Sequence, residues 1–183
     1  MSRLPLVEPK DAPEDVRAIL EALPVKLAIF RLMANAQTSF RPLLSLGTSI
    51  LTRQELDPKL RELAILQAAA LTPGEYEWVQ HVPIAKAVGV SDAEIEALDR
   101  GDLEADCFGE RERVLLQFGE QTLENSCVDG PLFEAARKHF SPREIVELIL
   151  TLGYYSMLAR LTEVAELAPE EPAGTAVVDA ARR

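Results

Sequence analysis

The sequence predicts an all-α protein organised around an antiparallel hairpin of two helices. Three observations predict it. Aromatic residues make up only 5% of the 183 positions while Ala, Leu and Glu are abundant, a composition that favours helix over sheet. No stretch sustains the period-two alternation of a half-buried strand. Helix-start signals recur at Asp57-Pro58, Thr72-Pro73-Gly74-Glu75, Ser91-Asp92-Ala93-Glu94 and Ser141-Pro142-Arg143-Glu144.

In chain order, residues 1–12 read as an irregular lead, and Ala12-Pro13-Glu14-Asp15 opens a short helix that ends before Pro24. Val25–Met33 is strongly apolar and predicts a second helix, and Thr38–Leu51 a third with Pro42 near its first turn. Asp57 and Pro58 launch the first hairpin helix, apolar on nearly every side after Arg61 and Glu62 and therefore buried over most of its circumference. Thr72 reads as the cap of the second, with Pro73 first in the helix and Gly89 its left-handed stop. A capping box at Ser91 opens a short helix to about Asp99, and residues 100–108 form a loop. Helices follow over Glu110–Asn125, from Asp129-Gly130-Pro131 to Phe140, and from Ser141 towards Glu166. Gly153 inside the last would cost about 1 kcal/mol relative to Ala if exposed, so a close helix approach or room for a ligand is expected there. Similar offsets after Asp57-Pro58 and Ser141-Pro142 hint at a duplicated helical unit. After Leu167, Ala-Pro-Glu-Glu-Pro-Ala-Gly predicts a mobile tail over 168–183. Residues 1–56 pack on the core at 57–167, since no Gly/Ser-rich linker divides them.

The second hairpin helix carries the residues suited to chemistry. Ile84, Ala85 and Val88 extend back by steps of three and four to His81 and Glu77, which sets an imidazole and a carboxylate on an inward stripe. Glu62 on the facing helix is reached from His81 only by a favourable crossing or a bridging water.

A net charge of −11 with no basic run argues against nucleic-acid and anionic-membrane partners. No signal peptide or spanning segment is evident, and a cytoplasmic protein is the expectation. Cys107 and Cys127, twenty positions apart, are neither a disulfide framework nor a Cys-x-x-Cys pair. Glu77 and His81 alone give no third ligand for a metal.

Arg61-Glu62-Leu63-Ala64-Ile65-Leu66, Glu75-Tyr76-Glu77-Trp78-Val79-Gln80-His81, Gly89-Val90-Ser91-Asp92-Ala93-Glu94-Ile95 and Gly153-Tyr154-Tyr155-Ser156-Met157-Leu158-Ala159-Arg160 together resemble the carboxymuconolactone decarboxylase family, which includes the alkylhydroperoxidase D-like peroxidases. The resemblance implies an alkylhydroperoxidase D-like helical bundle that assembles into homotrimers or hexamers. The peroxidase branch places a dithiol seven and four residues before the family histidine, where this chain has Gly74 and Glu77. Peroxiredoxin activity, a label the family carries, is therefore disfavoured. Glu62 and His81 match the peroxidases' glutamate and histidine, whereas Glu77, His81 and Arg61 match the decarboxylase branch.

The expected activity is a decarboxylase-like lyase acting by cofactor-free acid/base catalysis on a small carboxylated lactone or keto acid. Arg61 holds the carboxylate or lactone oxygen. His81 protonates the carbon left after CO₂ loss, with Glu77 or Glu62 fixing its tautomer. Tyr76, Trp78, Tyr154 and Tyr155 line the pocket. The rival reading is a non-catalytic oligomer whose buried Glu–His pair fixes subunit register.

Overall fold

A computed structural model describes residues 2–182. Ten α-helices and one short 3₁₀ turn at Pro9–Asp11 account for the regular structure, with no strand among the described residues. The helices are α1 (Glu14–Ala22), α2 (Ala28–Met33), α3 (Gln37–Arg53), α4 (Pro58–Leu71), α5 (Glu75–Ala87), α6 (Asp92–Asp99), α7 (Glu110–Asn125), α8 (Gly130–His139), α9 (Pro142–Val164) and α10 (Ala176–Ala181).

The bundle is built around α4, which packs against α5, α7 and α9. Asp57 caps it, its carboxylate accepting from the N–H groups of Lys59 at 2.9 Å and Leu60 at 3.3 Å. Every residue from Leu60 to Ala69 is buried, as a helix apolar all round must be when it crosses the middle of a domain. Each large apolar side chain withdrawn here, such as Leu63, Ile65 and Leu66, contributes about 1.5–3 kcal/mol. Three polar residues lie in this run, Arg61, Glu62 and Gln67, and the Gln67 amide donates to the carbonyl of Leu116 on α7 at 2.6 Å. The boxes at Ser91 and Ser141 form as expected, each serine accepting from the N–H of the glutamate three residues on. Gly89 takes φ +98° just past α5, the left-handed stop read from the sequence.

Three expectations are corrected. The second helix begins at Ala28 rather than Val25, because Lys26 is used to close α1: its Nζ donates to the carbonyls of Leu20 and Glu21 at 2.8 Å each. Thr72 ends α4 instead of capping α5. Its hydroxyl donates back to the Ala68 carbonyl, and the Gly74 N–H reaches the Ala69 carbonyl at 2.8 Å, so α5 starts only after the Gly74 cap. The segment after Leu167, read as a mobile tail, folds back over the bundle. There Gln80 Nε2 donates to the Glu170 carbonyl at 3.1 Å, the Ala173 N–H donates to Gln80 Oε1 at 3.1 Å, and α10 packs on α3.

One helix, α9, is long and apolar enough to cross a membrane by length and composition, but 56% of its apolar window is buried inside the fold. Its inner face supplies Leu152, Tyr155 and Ala159 to the core. Its outer face leaves Val146, Ile149, Leu150, Met157 and Val164 exposed, with Gly153 among them and nothing within 4 Å of where its Cβ would stand. That glycine therefore makes no close approach within the chain.

Candidate active site

Crossing of α4 and α5 brings Glu62 and His81 into direct contact. His81 Nδ1 lies 2.8 Å from Glu62 Oε2, so no bridging water is needed. The other carboxylate oxygen of Glu62 accepts from Arg61 Nε and Nη2, both at 3.3 Å. Glu62 is wholly buried and Arg61 only 3% exposed, which makes Arg61, Glu62 and His81 one buried network rather than surface ion pairs. The carboxylate fixes the ring's orientation and, in the neutral imidazole, places the proton on Nδ1 and the lone pair on Nε2. From α9, Tyr155 presents an edge to the His81 ring at a centroid distance of 4.7 Å and 83°, and Tyr154 stands against Tyr155 at 5.4 Å and 79°.

The His81 ring opens on a cavity of about 220 Å³ between α2, α3, α5, α9 and α10. Its wall is mostly aliphatic, with Ile29, Met33, Leu44 and Ile84 among the contributors. The polar groups in it are His81, Glu77, Gln80, Thr48, Tyr76, Tyr154 and Tyr155. Gly47 on α3 admits the Tyr154 hydroxyl, which donates to the Leu43 carbonyl at 3.1 Å; a Cβ at Gly47 would stand 2.5 Å from that oxygen. Burial lifts the Tyr154 phenol to about 12 and also raises Tyr155 well above the usual phenol value, so both stay protonated at neutral pH.

Of the residues predicted for the site, His81, Glu77, Tyr76, Tyr154 and Tyr155 line this cavity, and Glu62 stands directly behind His81. Two are placed elsewhere. Trp78 is half-buried against the core and outside the cavity wall, and Arg61 is turned to Glu62 and does not reach the wall. Glu77 is not the tautomer-fixing partner. Its carboxylate accepts from the Thr162 hydroxyl on α9 at 3.1 Å, one helix away from Glu62.

Desolvation raises the Glu77 carboxyl above its ordinary 4.5, against the opposing pull of its own backbone N–H, Thr162 and His81. A raised folded-state value means that the folded chain holds the proton better than the unfolded chain. The associated stability is complete below about pH 4.5 and is lost as pH rises through the folded value. Glu77→Gln is expected to flatten that decline and to be more stable than wild type at neutral pH, measured by urea midpoints across the pH range.

Sequence reasoning missed Glu170, Gln80 and Thr162. Tyr76 donates its hydroxyl to Glu170, whose carboxylate also accepts from the Ala28 N–H at 2.7 Å, while burial and that carboxylate raise the phenol further. Glu170 thus ties the C-terminal segment to α2 and α5, and brings Val177 and Ala180 into the cavity wall. These pairings span 85 to 142 positions, and no local pattern signals them.

Fold and site together define an all-α protein of alkylhydroperoxidase D-like architecture in which a buried Arg61–Glu62–His81 network adjoins a cavity that no cysteine lines. Residues 37–121 match the model of the Carboxymuconolactone decarboxylase family. Among solved structures, an uncharacterised peroxidase-related protein from Ralstonia eutropha JMP134 with an alkylhydroperoxidase AhpD core superposes with TM-score 0.80 at 21% identity, covering 100% of this chain and 97% of the other. A peroxidase-related protein from Silicibacter sp. TM1040 gives 0.77 at 18% identity, with 92% of each chain covered. The debrominase Bmp8, in complex with 2,3,4-tribromopyrrole, gives 0.72 at 18% identity, covering 96% and 95%. No curated protein matches the sequence.

Proposed function

We propose that the chain is an enzyme that moves a proton to or from carbon in a small unsaturated lactone or keto compound, with His81 as the acid/base and Glu62 as its fixed partner. The observation that carries this reading is the 2.8 Å bond from His81 Nδ1 to a wholly buried carboxylate, on a ring whose other side opens into a cavity. Neutral His81 removes a proton through Nε2, and its protonated form returns one; Glu62 stabilises the imidazolium formed in between. Arg61 supplies the counter-charge that lets Glu62 sit in a dry interior. Electrons from the broken bond rest on the substrate's own carbonyl.

In the decarboxylase form of this chemistry the C–C bond to the carboxylate breaks, CO₂ leaves, and the electron pair remains as a dienolate that His81 protonates at carbon. The matched region and the acid–base pair suit that form and proton transfer without loss of CO₂ equally, and a wall without Lys or Arg favours the second. The placement of Arg61 removes the carboxylate anchor expected for the first. A peroxide-reducing thiol relay has less support: Cys107 is half-buried, Cys127 is exposed, and neither contributes to the cavity wall.

Incubating the full chain in D₂O with a panel of lactones and keto compounds tests the reading by mass spectrometry. Enzyme-dependent deuterium at carbon, unchanged in the Cys107→Ser/Cys127→Ser double variant, is the expected result. No incorporation with any compound sinks it.

The chain is further proposed to work as a homo-oligomer. The apolar stripe of Val146, Ile149, Leu150, Met157 and Val164 on α9, with Gly153 leaving room for a close helix approach, supports this. Ile149→Glu with Leu150→Glu is expected to lower the molar mass measured by light scattering to that of a smaller assembly or a single chain. An unchanged mass rules this face out.

A further inference from the structure

We infer that the cavity takes its ligand uncharged: a small ring compound, apolar over most of its surface, that offers one weakly polar group to His81. The inference deepens the proton-transfer reading and rests on it only for the role of His81; the preference for a neutral ring is a binding property of the wall.

Four features of the wall lead there. No Lys or Arg lines it, and the guanidinium expected to receive a carboxylate is held by Glu62. The polar donors that line it are largely committed to the protein itself: Tyr76 to Glu170, Tyr154 to the Leu43 carbonyl, and the Gln80 amide to the Glu170 carbonyl. What remains for a ligand is His81 Nε2 and the hydroxyls of Thr48 and Tyr155, enough for one polar group and too little to replace the hydration of a carboxylate. Glu77 is in the wall as well, and an anion beside it would also oppose ionisation of that carboxyl, already raised by burial. Size agrees with this. A dry cavity of about 150 Å³ holds a benzene ring, so about 220 Å³ takes one ring with a few substituents.

The test is calorimetric titration of the full chain at neutral pH with three probes of one shape: para-cresol, para-toluamide and para-toluate. The two neutral rings are expected to bind at least tenfold more tightly than the carboxylate. Filling the cavity with Val177→Trp, or with Leu44→Trp should the first fail to fold, is expected to abolish that binding. Thr48→Arg, which puts a cation into the wall, is expected to reverse the preference. Carboxylate binding equal to or tighter than that of the neutral rings overturns the inference, as does binding of none of the three, or binding indifferent to both tryptophan variants. Neutral-ring preference in a protein that exchanges no carbon-bound hydrogen with solvent upholds the inference and removes the catalytic reading. Turnover confined to carboxylated compounds, with weak neutral binding, does the reverse.

Discussion

Replacing His81 with Gln is expected to lower kcat/KM by about 10²- to 10⁴-fold, the usual contribution of a positioned acid–base group. That range corresponds to about 3–5 kcal/mol of transition-state stabilisation. The loss should fall on kcat rather than KM, because the proton moves only in the transition state and the wall that holds the ligand is otherwise intact. Folding should survive. The glutamine amide can still donate to Glu62, and the position lies at the margin of a cavity rather than inside close-packed core. Deuterium incorporation assayed beside a urea unfolding curve separates the two effects. A His81→Gln variant with wild-type turnover would eliminate the imidazole as the proton carrier.

Removing the carboxylate behind that ring has a different consequence. Glu62→Ala is expected to destabilise the fold by about 3–5 kcal/mol, the cost of leaving a buried charge without its partner. Arg61 is the charge left behind, 3% exposed and bonded to Glu62 through two nitrogens. Arg61→Met combined with Glu62→Met removes both charges and is expected to cost less than Glu62→Ala alone, a non-additivity that only a shared interaction produces. Urea denaturation at neutral pH gives all the values needed. A cost below about 1 kcal/mol for Glu62→Ala would mean that the guanidinium finds solvent or another acceptor, contrary to the network described.

Elements whose signals are local could be read directly from the chain. Asp57, Ser91 and Ser141 cap the helices they were expected to cap, since each reaches N–H groups only two or three residues on. Gly89 is similar, a backbone requirement met by one residue. The inward placement of His81 followed from helical spacing, and its pairing with Glu62 was half legible: the two helices were assigned, but the crossing that closes the gap is set by packing. Thr72 satisfies a start signal and a stop signal at once, and the reach of the Gly74 N–H back to the Ala69 carbonyl decides between them. The orientation of Arg61 was not legible either. A guanidinium beside a buried carboxylate on its own helix turns to it, and its sequence position says only that it is near. The C-terminal segment was missed for the same kind of reason, its prolines being visible and its anchor to Tyr76 being 94 positions away.

The two hydrogen-bonding partners at the heart of the site, Glu62 and His81, both lie within the stretch 37–121 that matches the family model, while much of the surrounding wall comes from residues 23–33, α9 and α10 on either side of it. The Glu62–His81 pair and much of the wall beside it thus come from different stretches of chain, with α3 and α5 contributing to the wall from inside the matched region. On the proton-transfer reading proposed above, drift in the two flanks would retune which molecule is admitted while leaving the Glu62–His81 pair in place, so proteins sharing this dyad need not share a substrate.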